Sequence, residues 1–305
     1  MSNTPCSLVE RLRETLGDDA VLVDEPMSAH TTFQIGGPAD ALVLPRTVEQ
    51  VAAVVQMCRE AEVPVHVIGL GSDLLVSDDG LRGVVLKLAE NFSLMRVEGA
   101  RIIAQAGASN AEVAAVACEA GLAGFEFASG IPGTIGGAAI MNAGAYGGEF
   151  KDVARSLTCL TPDGRVVEVS AEEADWSYRH SMMDAAGYVV LEAVLELTPD
   201  SSAEIQARMD DLRQRREEKQ PLEMPSAGST FKRPEGYFAG KLIQDAGLRG
   251  FRVGGAQVSE KHTGFVVNAG GATADDVLPL IAEVQRRVFE MEGVRMEPEV
   301  RMWGF

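Results

Sequence analysis

Five short stretches of this chain carry residue types that could do chemistry. VIGLGSDLL (67–75) ends a β-branched run on Gly69, Gly71 and Ser72. The two glycines match the start of GxGxxG, but Leu74 stands at the third position and LLVSDDG follows instead of a helix. A Rossmann fingerprint is therefore disfavoured, leaving a structural turn or a bare backbone whose N–H groups nest an anion. WSYRHSM (176–182) sets Tyr178, Arg179 and His180 in consecutive positions, an aromatic beside two groups able to carry positive charge. In SAGSTFKRP (226–234) Ser229 lies between Gly228 and Thr230, so the GxSxG elbow is absent. Its hydroxyl is either a turn residue or a proton donor or acceptor beside neighbouring cations. In MEPEVRMWG (296–304) alternation sends Glu297, Glu299 and Arg301 to one face, which suits either exposure or a carboxylate set in a cleft. The fifth stretch, GIPGTIGGAAIMNAGAYGG (130–148), has seven glycines in nineteen positions and no charge. A flexible linker would add Ser, Pro and charge, whereas Ile131, Ile135, Ile140, Met141 and Tyr146 call for burial. Glycines among such residues mark close packing or close approach to a ligand.

These stretches need elements to hold them. TVEQVAAVVQMCREAE (47–62) places Val48, Val51, Ala52, Val55 and Cys58 on one helical stripe and feeds the strand before Gly69. GVVLKL (83–88) and YVVLEAVLEL (188–197) read as strands, and 110–122 as a helix stopping near Gly121. SLTCLTPDGRVVEVS is a hairpin turning at Pro162–Asp163–Gly164. From 199 to 221 the composition turns polar and charged, with Ile205, Met209 and Leu212 on one side of a helix, and a domain boundary is expected there. The last helix, ADDVLPLIAEVQRRVFEMEG, repeats Val277, Leu280, Ile281, Val284 and Val288 at helical spacing. Strands before and after helices give an α+β or mixed reading.

Composition narrows the function. With 305 residues, 46% hydrophobic and 24% charged, the chain reads as a soluble globular protein of two or three domains. No apolar run approaches the roughly 20 residues of a membrane span. The opening MSNTPCSLVERLRE lacks an export signal, so the cytoplasm is the expectation. Four dispersed cysteines without a CxxC and four dispersed histidines speak against a metal site. The formal charge of −18 speaks against nucleic acid. Between Ser226 and His262, however, Lys232, Arg233, Lys241, Arg249, Arg252 and Lys261 face only Glu235, Asp245 and Glu260. That island is either scattered surface charge or a pocket for a small polyanion.

HTTFQIGGPAD (30–40), GLGSDLLVSDDG, the glycine run, SYRHSMM, AGSTFKRPEGYFAGKLIQDAGLRG, GGAQVSEKHTGFVVN and EPEVRMWG follow one another in this order. Together they resemble the UDP-N-acetylmuramate dehydrogenases, also called UDP-N-acetylenolpyruvoylglucosamine reductases, over the chain from residue 28 onward. The length and the YRHS motif are similar to the shorter class of that family, which lacks an extra substrate-clamping loop. The resemblance implies an α+β fold: an FAD-binding half of the vanillyl-alcohol-oxidase type (1–198, subdomains about 1–86 and 87–198). A C-terminal substrate domain (199–305) follows. It implies FAD as cofactor, NADPH as co-substrate and UDP-N-acetylglucosamine enolpyruvate as substrate in peptidoglycan precursor synthesis. A monomer with no nucleic-acid, membrane or metal partner is expected.

Carried over motif by motif, Gly69, Gly71, Ser72, Asp73 and Leu74 would cradle the FAD pyrophosphate. Ser129, Gly130, Pro132, Gly133, Gly136 and Gly137 would lie along the flavin and its phosphates, with Ile35, Gly36 and Gly37 in the same wall. Arg179 would grip the enolpyruvyl carboxylate with Tyr178 beside it, Ser229 would donate the proton, and Glu299 would be the second catalytic group. Lys219, Tyr237, Lys241 and Arg249 would hold the UDP moiety. The implied reaction passes hydride from NADPH through FAD to the terminal alkene carbon, and Ser229 protonates the adjacent carbon. Asp73 departs from the asparagine common in the family, which puts a direct phosphate contact there in doubt. The same reading expects a bulky substitution at Gly136 to cost flavin before it costs the fold. One alternative is another flavin oxidase of the same cofactor fold, which would not need the cationic cluster with Ser229 and Glu299. The other is a silent UDP-sugar-binding protein, which would have lost catalytic residues, although Arg179, Ser229 and Glu299 are all present.

Overall fold

The computed structural model describes residues 6–305; residues 1–5, part of the stretch read for an export signal, lie outside it. The β-rich runs of the first third assemble a four-stranded sheet in the order Val21–Pro26, Pro38–Val43, Leu81–Lys87, Val65–Ile68. The first pair is antiparallel and the other two are parallel. Parallel strands need a crossover, and the helix Val48–Glu60 supplies one between Pro38–Val43 and Val65–Ile68. Thr47 caps it by accepting from the Gln50 N–H. Its most buried residues are Val51, Val54, Met57 and Cys58, with Val48, Ala52 and Val55 half-buried beside them, so the inward stripe is turned slightly from the expected one.

A second, wholly antiparallel sheet runs Val166–Ser170, Ala154–Leu160, Val189–Glu196, Arg101–Gln105, Met95–Glu98. The hairpin at Pro162–Asp163–Gly164 joins its first two strands, with Gly164 at φ 87°. Helix Asn110–Glu119 opens on a reciprocal capping box between Ser109 and Glu112. The glycine run holds an element that its composition hides, a helix over Ile135–Met141. Thr134 caps its start and Asn142, at φ 43°, ends it in the left-handed conformation. Glycine is a poor helix former, but a Cβ at Gly136 would stand 2.9 Å from the Ala106 Cβ, so the close approach to the sheet requires it. Both sheets enclose one continuous core from Leu8 and Leu12 to Leu195 and Leu197. The polar helix Ser202–Lys219 leans on that core through Met209, and Arg208 pairs with Glu126 at 2.8 Å.

The C-terminal part forms a third sheet, Ser226–Ser229, Phe265–Asn268, Ala256–Val258, Arg252–Val253. Helix Ala274–Glu292 packs on it with Val277, Leu280, Ile281, Val284 and Val288 buried, the five residues its spacing singles out. Two stitches tie this part to the segment that runs between Val65–Ile68 and Leu81–Lys87. Asp78 accepts the backbone N–H of Ala274 and of Asp275 at 3.0 Å each, a second cap for the helix beyond its own Thr273–Asp276 box. The strand Arg301–Trp303 leaves the C-terminal part and pairs in parallel with Leu74–Val76. The architecture is α+β throughout. Among the described residues no helix is long and apolar enough to cross a membrane.

Candidate active site

A cavity of about 1010 Å³ lies where the three sheets meet. Its floor is built by two glycine loops that touch each other. A Cβ at Gly69 would collide with Thr134, one at Gly71 (φ 63°) with the His30 carbonyl, and one at Gly133 (φ 131°) with Ser72 Oγ. Ser72 Oγ donates to the Pro132 carbonyl at 2.8 Å, locking the loops together. Gly69, Gly71, Ser72, Asp73, Leu74, Pro132, Gly133, Gly136 and Gly137 all line this cavity.

Five residues expected in the cofactor wall lie elsewhere. Ile35 is buried in the core of the C-terminal part. Gly36 and Gly37 are required by packing: a Cβ on Gly37 would stand 2.0 Å from the Asp78 carbonyl, and one on Gly36 2.8 Å from the Val76 Cβ. Thr32 and Gln34 of the same motif line the cavity in their place. Ser129 donates its hydroxyl to the Glu126 carbonyl at the end of a short turn, and Gly130 presents its carbonyl to Arg216. Of the carried-over cofactor residues these five are the ones outside the lining.

The cavity also presents features that ask for a ligand. Asn110, 1% exposed, is held by donating to the Ile131 carbonyl at 3.3 Å, yet its Oδ1 has no partner. An orphaned buried acceptor costs about 1–3 kcal/mol unless a donor arrives. Arg216, 8% exposed, lies between the Gly130 carbonyl and the Tyr146 ring with no ion pair among the described residues. Burial pulls its pKa below the ordinary arginine value, the mark of a cation short of countercharge. Bare backbone, a lone buried cation and an orphaned acceptor fit a dinucleotide that brings phosphate charge and hydroxyl donors, so the residues present suit FAD. Neither residue was singled out from sequence. Arg216 had a signal: it continues the inward stripe Ile205, Met209, Leu212, where a cation is out of place.

At one end of the cavity three candidate catalytic side chains converge. Tyr178 and Arg179 form the tip of a tight turn closed by Ser177 and His180, with Arg179 at φ 56°. Asn142, buried at the end of the glycine-rich helix, donates to the Ser177 carbonyl at 3.1 Å and so fixes the turn against the cavity floor. The next turn begins at buried Ser181, which caps the helix Met182–Ala186. Opposite, residues 297–301 are threaded between two partners. Glu299 N–H donates to the Thr230 carbonyl at 2.8 Å, and Arg301 N–H to the Asp73 carbonyl at 3.0 Å. Glu299 is thereby pinned beside Ser229, which Gly228 (φ 74°) turns outward at a bulge in the edge strand. Glu297, expected on the same face, is exposed and pairs with Lys232 at 3.3 Å; the chain stays against 230–232 through Glu299 and passes to Asp73 only at Arg301.

Arg179 Nε donates to Glu299 Oε1 at 2.5 Å, and Tyr178 Oη to Glu299 Oε2 at 3.4 Å. Burial works against the Arg179 charge, but Glu299 outweighs it and holds the guanidinium above its ordinary pKa. The Asp73 carboxyl faces this cluster. Burial, with the Glu299 charge adding to it, pushes its pKa up to about 8, against the pull of Arg301 and Arg179. The doubt about a phosphate contact at Asp73 thus has a structural cause, since its charged neighbours are catalytic candidates.

A second pocket of about 480 Å³ opens on the far side of these residues. Arg233, Lys241, Arg249 and Lys261 line it, with Phe238 under the Arg233 guanidinium at 4.1 Å. Four of the six cations of the basic island thus line one pocket, while Lys232 and Arg252 lie outside it. Lys241 and Arg249, expected at a UDP moiety, line this pocket together with Arg233 and Lys261. Lys219, exposed at a helix end, and Tyr237, whose carbonyl accepts from Arg233 Nε at 3.2 Å, line neither cavity. Arg179, Ser229 and Glu299 are the three residues that line both.

Comparison with known proteins agrees with this geometry. An FAD binding domain model matches residues 39–170, and the C-terminal domain model of UDP-N-acetylenolpyruvoylglucosamine reductase matches 220–303. The enzyme of that name from Agathobacter rectalis is 54% identical, with 98% of each chain covered; that from Alkaliphilus metalliredigens is 50% identical, again with 98% of each covered. The crystal structure of UDP-N-acetylenolpyruvylglucosamine reductase from Thermus caldophilus superimposes with a TM-score of 0.80 at 36% identity, over 93% of this chain and 98% of that one. An alkyldihydroxyacetonephosphate synthase, 18% identical, shares the fold over 65% of this chain and 41% of its own, with a TM-score of 0.51. The chain belongs to the UDP-N-acetylenolpyruvoylglucosamine reductase family of FAD-containing oxidoreductases.

Proposed function

We propose that the protein uses NADPH to reduce UDP-N-acetylglucosamine enolpyruvate to UDP-N-acetylmuramate, a step of peptidoglycan precursor synthesis, in the cytoplasm. The observation that carries this reading is the sharing of Arg179, Ser229 and Glu299 between a glycine-floored cavity and a cationic one. FAD, when bound in the larger cavity, supplies hydride acceptance and delivery. Gly69, Gly71, Gly133 and Gly137 offer it bare backbone, Asn110 an acceptor and Arg216 a buried positive charge. The smaller cavity binds a UDP-sugar through Arg249, Lys241, Arg233 and Lys261, whose charge-assisted hydrogen bonds suit a diphosphate.

Arg179 takes the substrate carboxylate and orients the alkene toward the larger cavity. Negative charge that develops on the carboxylate-bearing side meets Arg179 and a protonated Glu299, both held before the reaction begins. Ser229 gives its proton to the carbon next to the carboxylate. Serine is a weak acid, so this transfer depends on the strong basicity of an enolate-like acceptor. Purified holoenzyme should oxidise NADPH only when the enolpyruvyl compound is present; oxidation at an equal rate without it would remove this reading. We further propose that residues 199–305 act as the substrate domain and that the enzyme is a monomer, testable by sedimentation.

A further inference from the structure

Two carboxyl groups, Asp73 and Glu299, lie near Arg179 at the junction of the cavities. They come from parallel neighbours: Arg301 pairs with Leu74, so Asp73 precedes the pairing on one strand and Glu299 lies two residues upstream on the other. Glu299 holds Arg179 at 2.5 Å and receives the Tyr178 hydroxyl. The nearby Arg301 guanidinium is already committed to Asp184, with a contact of 3.0 Å between Nη1 and Oδ1. Asp73 therefore feels the charges of Glu299, Arg301 and Arg179 but has no ion pair of its own among the described residues. Two ionised carboxylates there would leave one uncompensated in a largely enclosed site, which is costly.

The incoming substrate brings a third carboxylate to Arg179 under the proposed function, on which this inference rests. Once that carboxylate takes Arg179, Glu299 loses its counterion and must be neutral. We propose that Asp73 is the proton-holding partner of Glu299: the pair keeps one proton, on Asp73 while Glu299 is paired with Arg179, and on Glu299 once the substrate carboxylate occupies Arg179. Asp73 acts through Glu299 and is a positioning residue for its protonation state. No proton has to enter from solvent and none leaves: the substrate carboxylate takes the Arg179 charge, and Asp73, now ionised, is left to the pull of the nearby Arg301. The elevated Asp73 pKa agrees with a carboxyl that is protonated in the free enzyme at neutral pH.

The test is calorimetric titration of oxidised holoenzyme with UDP-N-acetylglucosamine enolpyruvate, in buffers of differing ionisation enthalpy, with no reductant present. At about pH 7 the wild type takes up close to no proton, and uptake approaches one above about pH 8, where the dissociation constant begins to rise about tenfold per pH unit. Asp73→Asn, which keeps size and hydrogen-bonding shape, takes up about one proton already near pH 7, and its affinity falls with pH from a lower value. UDP-N-acetylglucosamine, without the carboxylate, gives no uptake in either protein. Equal uptake in wild type and Asp73→Asn at about pH 7 overturns the proposal. So does uptake of a full proton by the wild type at about pH 7, a result that needs no variant to fold. Failure of the holoenzyme to reduce the enolpyruvyl compound with NADPH would instead remove the proposed function, so the two outcomes are separate.

Discussion

Arg179 and Glu299, 120 residues apart in the chain, form a 2.5 Å ion pair that closes the catalytic end of the cavity. A second pair, Asp184 with Arg301, spans the same two segments five residues beyond Arg179 and two beyond Glu299, with the charges exchanged. The 177–184 turn and the 297–301 segment are thus held by two oppositely directed bridges. Under the proposed function, this arrangement sets where the substrate carboxylate lands.

Arg179→Gln removes the charge but leaves a planar donor. It should slow reoxidation of the reduced flavin by the enolpyruvyl substrate by about 10²–10³-fold, while NADPH still reduces the flavin at close to the normal rate. Stopped-flow absorbance of the two half-reactions, followed separately, checks this. An equal slowing of both would show that Arg179 holds the fold of the site more than the substrate.

Ser229 sits on an outward-turned bulge with few constraints, so Ser229→Ala should leave the melting temperature and FAD content unchanged. The second half-reaction should fall by about 10²–10⁴-fold, the range for losing a general acid. Deuterium incorporation from solvent at the protonated carbon should slow in step with flavin reoxidation. Undiminished incorporation would mean that another group delivers the proton.

The Asp73 carboxyl also makes stability depend on pH. Its pKa of about 8 in the folded protein stands against 3.8 as the ordinary value. Between these limits the folded chain binds more protons than the unfolded one, so stability falls as pH rises from about 4 to about 8 and stays lower above that. In Asp73→Asn this loss should disappear. Scanning calorimetry should show a smaller drop in Tm between about pH 6 and about pH 9 for the variant than for the wild type.

Much of the scaffold is legible in the residues. The buried stripe of Ala274–Glu292, the hairpin around Gly164 and the helix that begins at Asn110 follow from periodicity and local rules. Tertiary relationships are less so. Ile135–Met141 escapes notice because two glycines mask a helix whose purpose is close packing on Ala106. Gly36 and Gly37 look like a cofactor wall, but the same absence of a Cβ serves contact with Asp78 and Val76. A glycine records only that something is near, not what. The parallel pairing of Arg301–Trp303 with Leu74–Val76 joins residues more than two hundred positions apart, and no local pattern announces it. Asp73 acquires its charged neighbours through that pairing, so the sequence raises doubt about a phosphate contact there without showing what the carboxyl meets instead.

The neighbouring glycines of the cavity floor separate flavin binding from folding. The expectation that a bulky group at Gly136 costs flavin first is corrected by the geometry, because its Cβ position points at Ala106, 2.9 Å from that Cβ and 3.2 Å from its carbonyl. At Gly137 the nearest atom, Thr134 Oγ1, is 3.8 Å away, and the residue opens into the cavity. Gly136→Val should therefore destabilise the apoprotein by about 1–3 kcal/mol through overpacking. Gly137→Leu should keep the apoprotein Tm, or raise it through better helix propensity worth up to about 1 kcal/mol, while abolishing tight FAD binding. Apoprotein melting and fluorescence titration with FAD, run on both variants, test this. Tight FAD binding by Gly137→Leu would show that the flavin does not lie over this turn of helix, and an unchanged Tm in Gly136→Val would show that the helix can lift from the sheet.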